Sequence, residues 1–336
     1  MRRLSKYWII SCLNKAVIIT SGDPAGIGPE VILRLAVAEA FALAPSVIIG
    51  RRSLYEKLAS DMGIKLETNP VDESLKLKSG VLNILEPPCE NKYVYASEPG
   101  EASSREALSY LETACGLIKE GKAGRLITAP VSKEGIAAVK KDFSGHTYYL
   151  ADFFGVERQK AVMLFLSRTI KAVLVSQHLA IKDVAAAINK KAIAVAVESA
   201  LAALKSFGIS APRAAICSLN PHCGDGGLLG SEEKDEITPA VEELKSRGMA
   251  VSGPMDAFDA VAGCLKNEYD IMAAMYHDQG IVPVKLFSHG RAVNFTWGLP
   301  FIRLSPLHGT AFDIAGAFKA RAESMTECFR IAARLQ

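Results

Sequence analysis

The sequence predicts an α/β fold of two α/β/α domains with largely parallel sheets. Short apolar runs of strand length recur along the chain, among them AVIIT at 16–20, KAVLVSQ before His178, AAICSLNP before His222 and IMAAMY before His277. They are continuous rather than alternating, which is the pattern of strands buried on both faces of a parallel sheet. Between them lie helical spacings of ten or more residues, the signature of βαβ units. A chain of 336 residues with 49% hydrophobic content can bury two sizeable cores.

The first strand, Ala16 to Thr20, leads through SGDPAGIGPE into a helical pattern from Pro29 to Leu43. Proline suits the first helical turn, where its missing N–H costs nothing. A strand at Ser46 to Gly50, a helix from Ser53 to Met62 and the strand-like VLNIL segment follow, then a polar, proline-containing surface excursion from Glu86 to Glu101. Leu108, Leu111, Cys115 and Ile118 give the helix Ser103 to Glu120 its apolar face, and GKAG ends it before the strand RLIT. The strand before His178, the helix Ile181 to Phe207, the strand before His222, the helix Glu232 to Arg247 and the strand before His277 repeat the alternation. A last helix, Met325 to Leu335, is expected to pack back on the first lobe. That makes the first domain discontinuous, 1–130 plus 300–336, with 131–299 as the second.

Composition excludes several function classes. The 39 basic and 36 acidic residues are well mixed and leave a net charge of +3, so no basic stripe signals nucleic acid or an anionic membrane. No run approaches the roughly 18 apolar residues of a membrane span. Seven cysteines, an odd number without a CxxC pair, argue against a disulfide framework and for a reducing cytoplasm. Residues 1–14 carry a basic head and a short apolar patch, but no small-residue cleavage pattern follows, and they are not read as a secretory signal.

The chemistry is carried first by histidines. Of the six in the chain, His178, His222 and His277 each follow an apolar strand. Ligands in open α/β sheets bind beyond the carboxyl ends of the strands. Three imidazoles issuing there form a catalytic metal site with open positions for water or substrate. Taken singly, each would be a loop histidine bonded to backbone. Cys223, beside His222, is a further soft donor.

Other motifs add to this. The glycines of SGDPAGIGPE fall as G-x-x-x-G-x-G, which is not the dinucleotide fingerprint, and the loop reads as a tight turn lining a cleft. His146 and Thr147 stand side by side in a polar turn. Lys285, Arg291, Asn294 and Arg303 recur between apolar residues downstream of His277, as a grip on carboxylate or phosphate requires. The stretch 305–316, SPLHGTAFDIAG, resembles the adenosine-binding loop of isocitrate and isopropylmalate dehydrogenases. That resemblance implies cofactor contacts from His308, Gly309, Thr310 and Asp313. A carboxylate such as Asp313 suits the ribose hydroxyls of NAD better than a 2′-phosphate.

With SGDPAGIGPE, TAPVSK, GHT, LNPHCGDGG, YHDQG, GLPFIR and HGTAFDIAG in this order, the chain resembles the 4-hydroxythreonine-4-phosphate dehydrogenase family from Ala16 onward. The resemblance implies an isocitrate/isopropylmalate dehydrogenase-like fold with the active site in the interdomain cleft, and a homodimer whose active sites draw on both subunits. It places the metal ligands on His178, His222 and His277, and the substrate contacts on His146, Thr147, Lys285, Asn294 and Arg303. It implies NAD and one divalent metal per site, zinc first, with cobalt, magnesium or manganese as alternatives. Residues 1–14 precede the family's usual start.

The implied reaction oxidises 4-phosphooxy-L-threonine at C3 to a β-keto acid, which loses carbon dioxide to give 3-amino-2-oxopropyl phosphate in pyridoxal phosphate biosynthesis. Asp278 and Lys285 are the two candidates for the proton-transfer role. Departures from the family pattern at Tyr148, Cys223, Asp225 and Leu304 to Leu307, and in GPMDAFD at 253–259, bear on substrate choice. D-threonate 4-phosphate, D-erythronate 4-phosphate and cis-dihydrodiols are the alternatives within the family. A zinc-dependent hydrolase and a non-enzymatic binding protein are the alternatives outside it, and a hydrolase leaves the HGTAFDIAG loop without a role.

Overall fold

The computed structural model describes residues 16–38, 40–88 and 98–335. The N-terminal stretch 1–14, Cys12, Cys89 and most of the expected surface excursion lie outside the described residues. The chain forms two compact units, one ending at Arg158 and resuming at Leu299, the other running Gln159–Gly298. The sequence boundary after residue 130 therefore moves to 158. The physical reason is packing of the intervening segment on the first unit: Tyr149 reaches Glu112 at 3.4 Å and Lys140 lies 3.8 Å from the same carboxylate.

In the first unit six strands are ordered β3-β4-β2-β1-β5-β12: β1 Ala16–Thr20, β2 Ser46–Ile49, β3 Thr68–Val71, β4 Leu82–Leu85, β5 Ala123–Thr128 and β12 Ile302–Pro306. Every pairing among them is parallel. Residues of β1, β2 and β5 are all buried, which accounts for continuous apolar runs with no polar alternation. Burying each Ile, Leu or Val side chain contributes about 1.5–3 kcal/mol. Helices Gly28–Val37 (α1), Arg52–Asp61 (α2) and Glu101–Lys119 (α3) cover the sheet. The C-terminal helix Glu323–Arg334 packs here too, where the Arg125 guanidinium donates to the Ala332 carbonyl at 3.0 Å and Phe329 meets Phe41 edge-on.

The second unit orders its strands β11-β6-β7-β10-β8-β9, with β6 Val162–Leu166, β7 Lys171–Leu174, β8 Ala214–Cys217, β9 Val251–Met255, β10 Ile271–Ala274 and β11 Val293–Trp297. Strands β7, β10, β8 and β9 are parallel, whereas β11, β6 and β7 pair antiparallel. A single apolar reading before His178 covers only half of the β6–β7 hairpin. Its turn is closed by Ser167, whose hydroxyl accepts from Ile170 N–H at 3.1 Å and donates to Ile170 C=O at 2.7 Å.

The expected helix 181–207 is two helices, Ile181–Ala187 and Lys190–Ser206. Asn189 is extended between them and its side chain accepts from Ala192 N–H at 2.9 Å, an N-cap that starts a new helix. The expected helix 232–247 begins instead as a π-turn, Glu233–Ile237, before the α-helix Thr238–Ser246. Among the described residues no helix is long and apolar enough to cross a membrane.

Candidate active site

Strand order settles where the three strand-end histidines originate. Strand β10 lies between β7 and β8, parallel to both. His178, His277 and His222 follow β7, β10 and β8, so they leave three neighbouring strands at one edge of the same sheet. The rings of His178 and His277 lie with centroids 5.7 Å apart and planes 38° from parallel. His277 opens the helix His277–Ser288 (α4), and its Nδ1 meets Asp278 at 2.6 Å, leaving Nε2 for a ligand. A carboxylate on the far nitrogen is the usual way a metal-binding imidazole is oriented.

His222 sits differently. It lies in Pro221–Gly227, a run in which His222, Cys223, Gly224, Asp225 and Gly226 all have positive φ. Among the described residues no group of three His, Cys, Asp or Glu side chains could hold a metal ion. One chain therefore brings together two of the three predicted ligands, with the third at the adjacent strand end. The donor set suits a borderline-soft divalent ion: imidazole nitrogens, one ring already fixed by a carboxylate.

In the first unit the predicted anion contacts cluster. His146 and Thr147 begin the helix His146–Phe153 behind Gly145, whose φ of 112° favours glycine. Arg303, on β12, is 3% exposed and donates to the Thr128 hydroxyl at 2.8 Å. Burial lowers its pKa to about 10. Burial first, then the positive charges of Arg303 and Lys133, push the His146 imidazole well below its ordinary pKa of 6.5, and its buried Nε2 has no protein partner. A neutral ring beside two cations is suited to bonding an anionic or hydroxylic ligand. Lys133 and Thr128 were given no role by the sequence, although TAPVSK follows β5 at the strand end where ligands bind.

The other predicted substrate contacts belong to the second unit. Asn294, on β11, donates to Met163 Sδ at 3.4 Å, and its Oδ1 is buried without a protein partner. Lys285 is exposed on α4, seven residues beyond Asp278, which places the two proton-transfer candidates two turns and about 10 Å apart along one helix face. They are not brought together.

The cofactor segment is held from below. Ile27 N–H donates to Thr310 C=O at 2.9 Å, Ala320 N–H to Glu30 at 3.0 Å, and Arg34 to Phe318 C=O at 2.6 Å. The SGDPAGIGPE loop is thus a buttress. Gly22 has φ of 71°, and a side chain there would meet the Pro130 carbonyl. His308 bonds Gly309 C=O at 3.1 Å, burial lowers its pKa, and its Nε2 is buried without a protein partner, while Gly309 and Asp313 are exposed.

Residues 42–332 match the model of the family described as pyridoxal phosphate biosynthetic protein PdxA. The chain belongs to the PdxA family. It is 35% identical over 331 residues to the D-threonate 4-phosphate dehydrogenase of Pectobacterium atrosepticum, covering 96% of this chain and 100% of that one. It is also 35% identical over 327 residues to the 4-hydroxythreonine-4-phosphate dehydrogenase of Caulobacter vibrioides, covering 96% and 98%. The crystal structure of 4-hydroxythreonine-4-phosphate dehydrogenase from Klebsiella pneumoniae superposes with a TM-score of 0.85 at 31% identity, covering 96% of this chain and 98% of that one. The PdxA membership and these relatives make the chain an oxidoreductase of the PdxA type with a largely parallel α/β fold.

Proposed function

We propose that this PdxA-family chain oxidises 4-phosphooxy-L-threonine with NAD and a divalent metal, zinc first, forming a β-keto acid that decarboxylates to 3-amino-2-oxopropyl phosphate. The observation that carries the reading is the exit of His178, His222 and His277 from three adjacent parallel strand ends, two with rings 5.7 Å apart. When bound, the metal supplies a Lewis acid that acidifies the substrate alcohol and favours loss of carbon dioxide, and the nicotinamide accepts hydride.

The residues divide the remaining work. His146, Thr147 and Arg303 bind anionic oxygen in the first unit, where Arg303 keeps its charge and His146 is neutral. In the second unit Lys285 and Asn294 are substrate contacts. Asp278, engaged by His277 Nδ1, orients that imidazole, which leaves Lys285 as the proton-transfer candidate, a role that requires its neutral amine form. His308, Gly309, Thr310 and Asp313 contact the cofactor, with Asp313 favouring the free ribose hydroxyls of NAD.

In this reading the enzyme is a cytoplasmic homodimer, and the metal ligand set is completed in the dimer. Exposed apolar side chains near the histidines support it: Val282 and Leu286 on α4 are 50% and 66% exposed, and Leu179 and Ile181 beside His178 are 47% and 73% exposed. Patches of this kind mark association surfaces.

A second reading, oxidation of D-threonate 4-phosphate, is favoured by the Pectobacterium relative. Absorbance at 340 nm with NAD, zinc or cobalt, and each of 4-phosphooxy-L-threonine, D-threonate 4-phosphate and D-erythronate 4-phosphate tests both. The highest kcat/KM identifies the substrate. Turnover of none of them with NADH formation would overturn the dehydrogenase reading.

A further inference from the structure

The two loops carrying His222 and His277 are joined beneath the histidines by a continuous set of side-chain hydrogen bonds. Gln279, in the first turn of α4, accepts Met275 N–H on Oε1 at 2.6 Å, closing the segment that holds His277. Its Nε2 donates to the Ser218 carbonyl at 2.8 Å, at the end of the neighbouring strand β8. The two partners fix the orientation of the amide, one requiring an acceptor and the other a donor. From Ser218 the chain passes to Leu219 and Asn220, whose N–H groups both donate to Glu233 Oε1 at 2.8 Å. Asn220 Nδ2 donates to Glu233 Oε2 at 2.9 Å.

Glu233 is 5% exposed and opens the π-turn Glu233–Ile237, a rare geometry that re-aims side chains at functional sites. It underlies the left-handed run of His222, Cys223 and Asp225, where non-glycine residues each store strain that persists only if the surroundings over-determine it. A Cβ on Gly224 would come 2.7 Å from Glu233 Oε2, so the carboxylate fits directly under that run.

We propose that Gln279 and Glu233 are positioning residues for the metal histidines. Glu233 holds the base of the His222 loop in its left-handed form, and Gln279 locks that base to the strand end that launches His277. The inference rests on the metal reading above and deepens it. Neither side chain contacts the ion; together they fix the two loops as one block whether the ligand set closes within one chain or across a dimer.

The test is titration of the metal-free full-length protein with CoCl2, followed by d–d absorption. Gln279→Glu keeps the acceptor for Met275 and loses the donor to Ser218; Glu233→Gln places a donor against Asn220 Nδ2. Each is expected to lower Co2+ affinity 10- to 100-fold, the range for partners behind metal ligands. The double variant should lose less than the product of the single losses, because both act on one block. Leu204→Ala, a buried core change in the same unit, should lower the melting temperature without moving Co2+ affinity. If Gln279→Glu does not fold, Gln279→Met fills a similar volume without either hydrogen bond and should show the same loss.

Wild-type Co2+ affinity and spectrum in these variants would overturn the proposal. Absence of Co2+ uptake by the wild-type protein, unchanged in His222→Ala, would instead overturn the metal reading, and the proposal with it.

Discussion

The imidazoles of His178 and His277 lie 5.7 Å apart, centroid to centroid, although the residues are separated by 99 positions and issue from different strands. Parallel pairing of β7 with β10 creates this proximity, since it brings both carboxyl ends to one edge of the sheet. Replacing His222, at the next strand end, with alanine should reduce Zn2+ or Co2+ affinity by more than the roughly 100-fold upper range of outer-shell losses. NADH formation should disappear while the melting curve stays near wild type. Metal content of the purified variant and absorbance at 340 nm check this, and undiminished metal occupancy would remove His222 from the ligand set.

Two half-buried histidines contribute to the loss of stability in acid. Both His146 and His308 are held below the ordinary imidazole pKa of 6.5, in each case chiefly by burial. On unfolding each ring regains its ordinary value and takes up a proton below about pH 6.5. The unfolded state then binds more protons than the folded one, so stability rises with pH through this window and falls as the solution is acidified. The slope is at most about 1.4 kcal/mol per pH unit for each histidine. Urea unfolding at pH 5.5 and 7.5 should show a smaller difference for His146→Gln than for wild type. An equal difference would contradict the account.

Much of this was legible in the sequence, for reasons that separate the parts that were not. Strands such as Ala16–Thr20 and Ile271–Ala274 are buried on both faces, so their apolar runs announce them. Thr68–Val71 carries Asn and Pro and is an edge strand, and it has no such run. The placement of the three histidines at strand ends was legible because each comes shortly after a buried strand. The proximity of Lys133 to His146 and the bond from Gln279 to Ser218 were not, because only the fold brings those pairs together. The break at Asn189 was hidden by alanine-rich sequence on both sides, which has helical propensity throughout.

Arg303 offers a sharper test of anion binding. Its guanidinium is 3% exposed and bonded to Thr128 at 2.8 Å. A guanidinium presents its N–H donors in a planar fork that matches two oxygens of a substrate phosphate or carboxylate. Arg303→Lys keeps the charge but loses the planar fork, so KM for the phosphorylated substrate should rise about 10-fold or more, the loss of roughly one charge-assisted hydrogen bond. KM for NAD should stay within about two-fold. Initial-rate kinetics with each substrate varied separately makes the comparison, and equal rises in both would point to a disturbed fold instead.

The exposed apolar face of α4 makes the last prediction. Val282 and Leu286 are four residues apart, on one side of the helix that begins with His277, and both are at least half exposed. Both side chains are already partly covered, so burying the remainder in an interface contributes roughly 2–3 kcal/mol per protomer. Leu286→Asp places a charge where an apolar partner is expected, and desolvating it costs several kcal/mol. Light scattering should find the wild-type chain dimeric and the variant monomeric at micromolar concentration. If the ligand set closes across the dimer, metal affinity and turnover fall with the dimer, while the circular dichroism spectrum is unchanged. A Leu286→Asp protein that stays dimeric would place the subunit contact elsewhere, and one that becomes monomeric yet binds metal normally would confine the ligand set to a single chain.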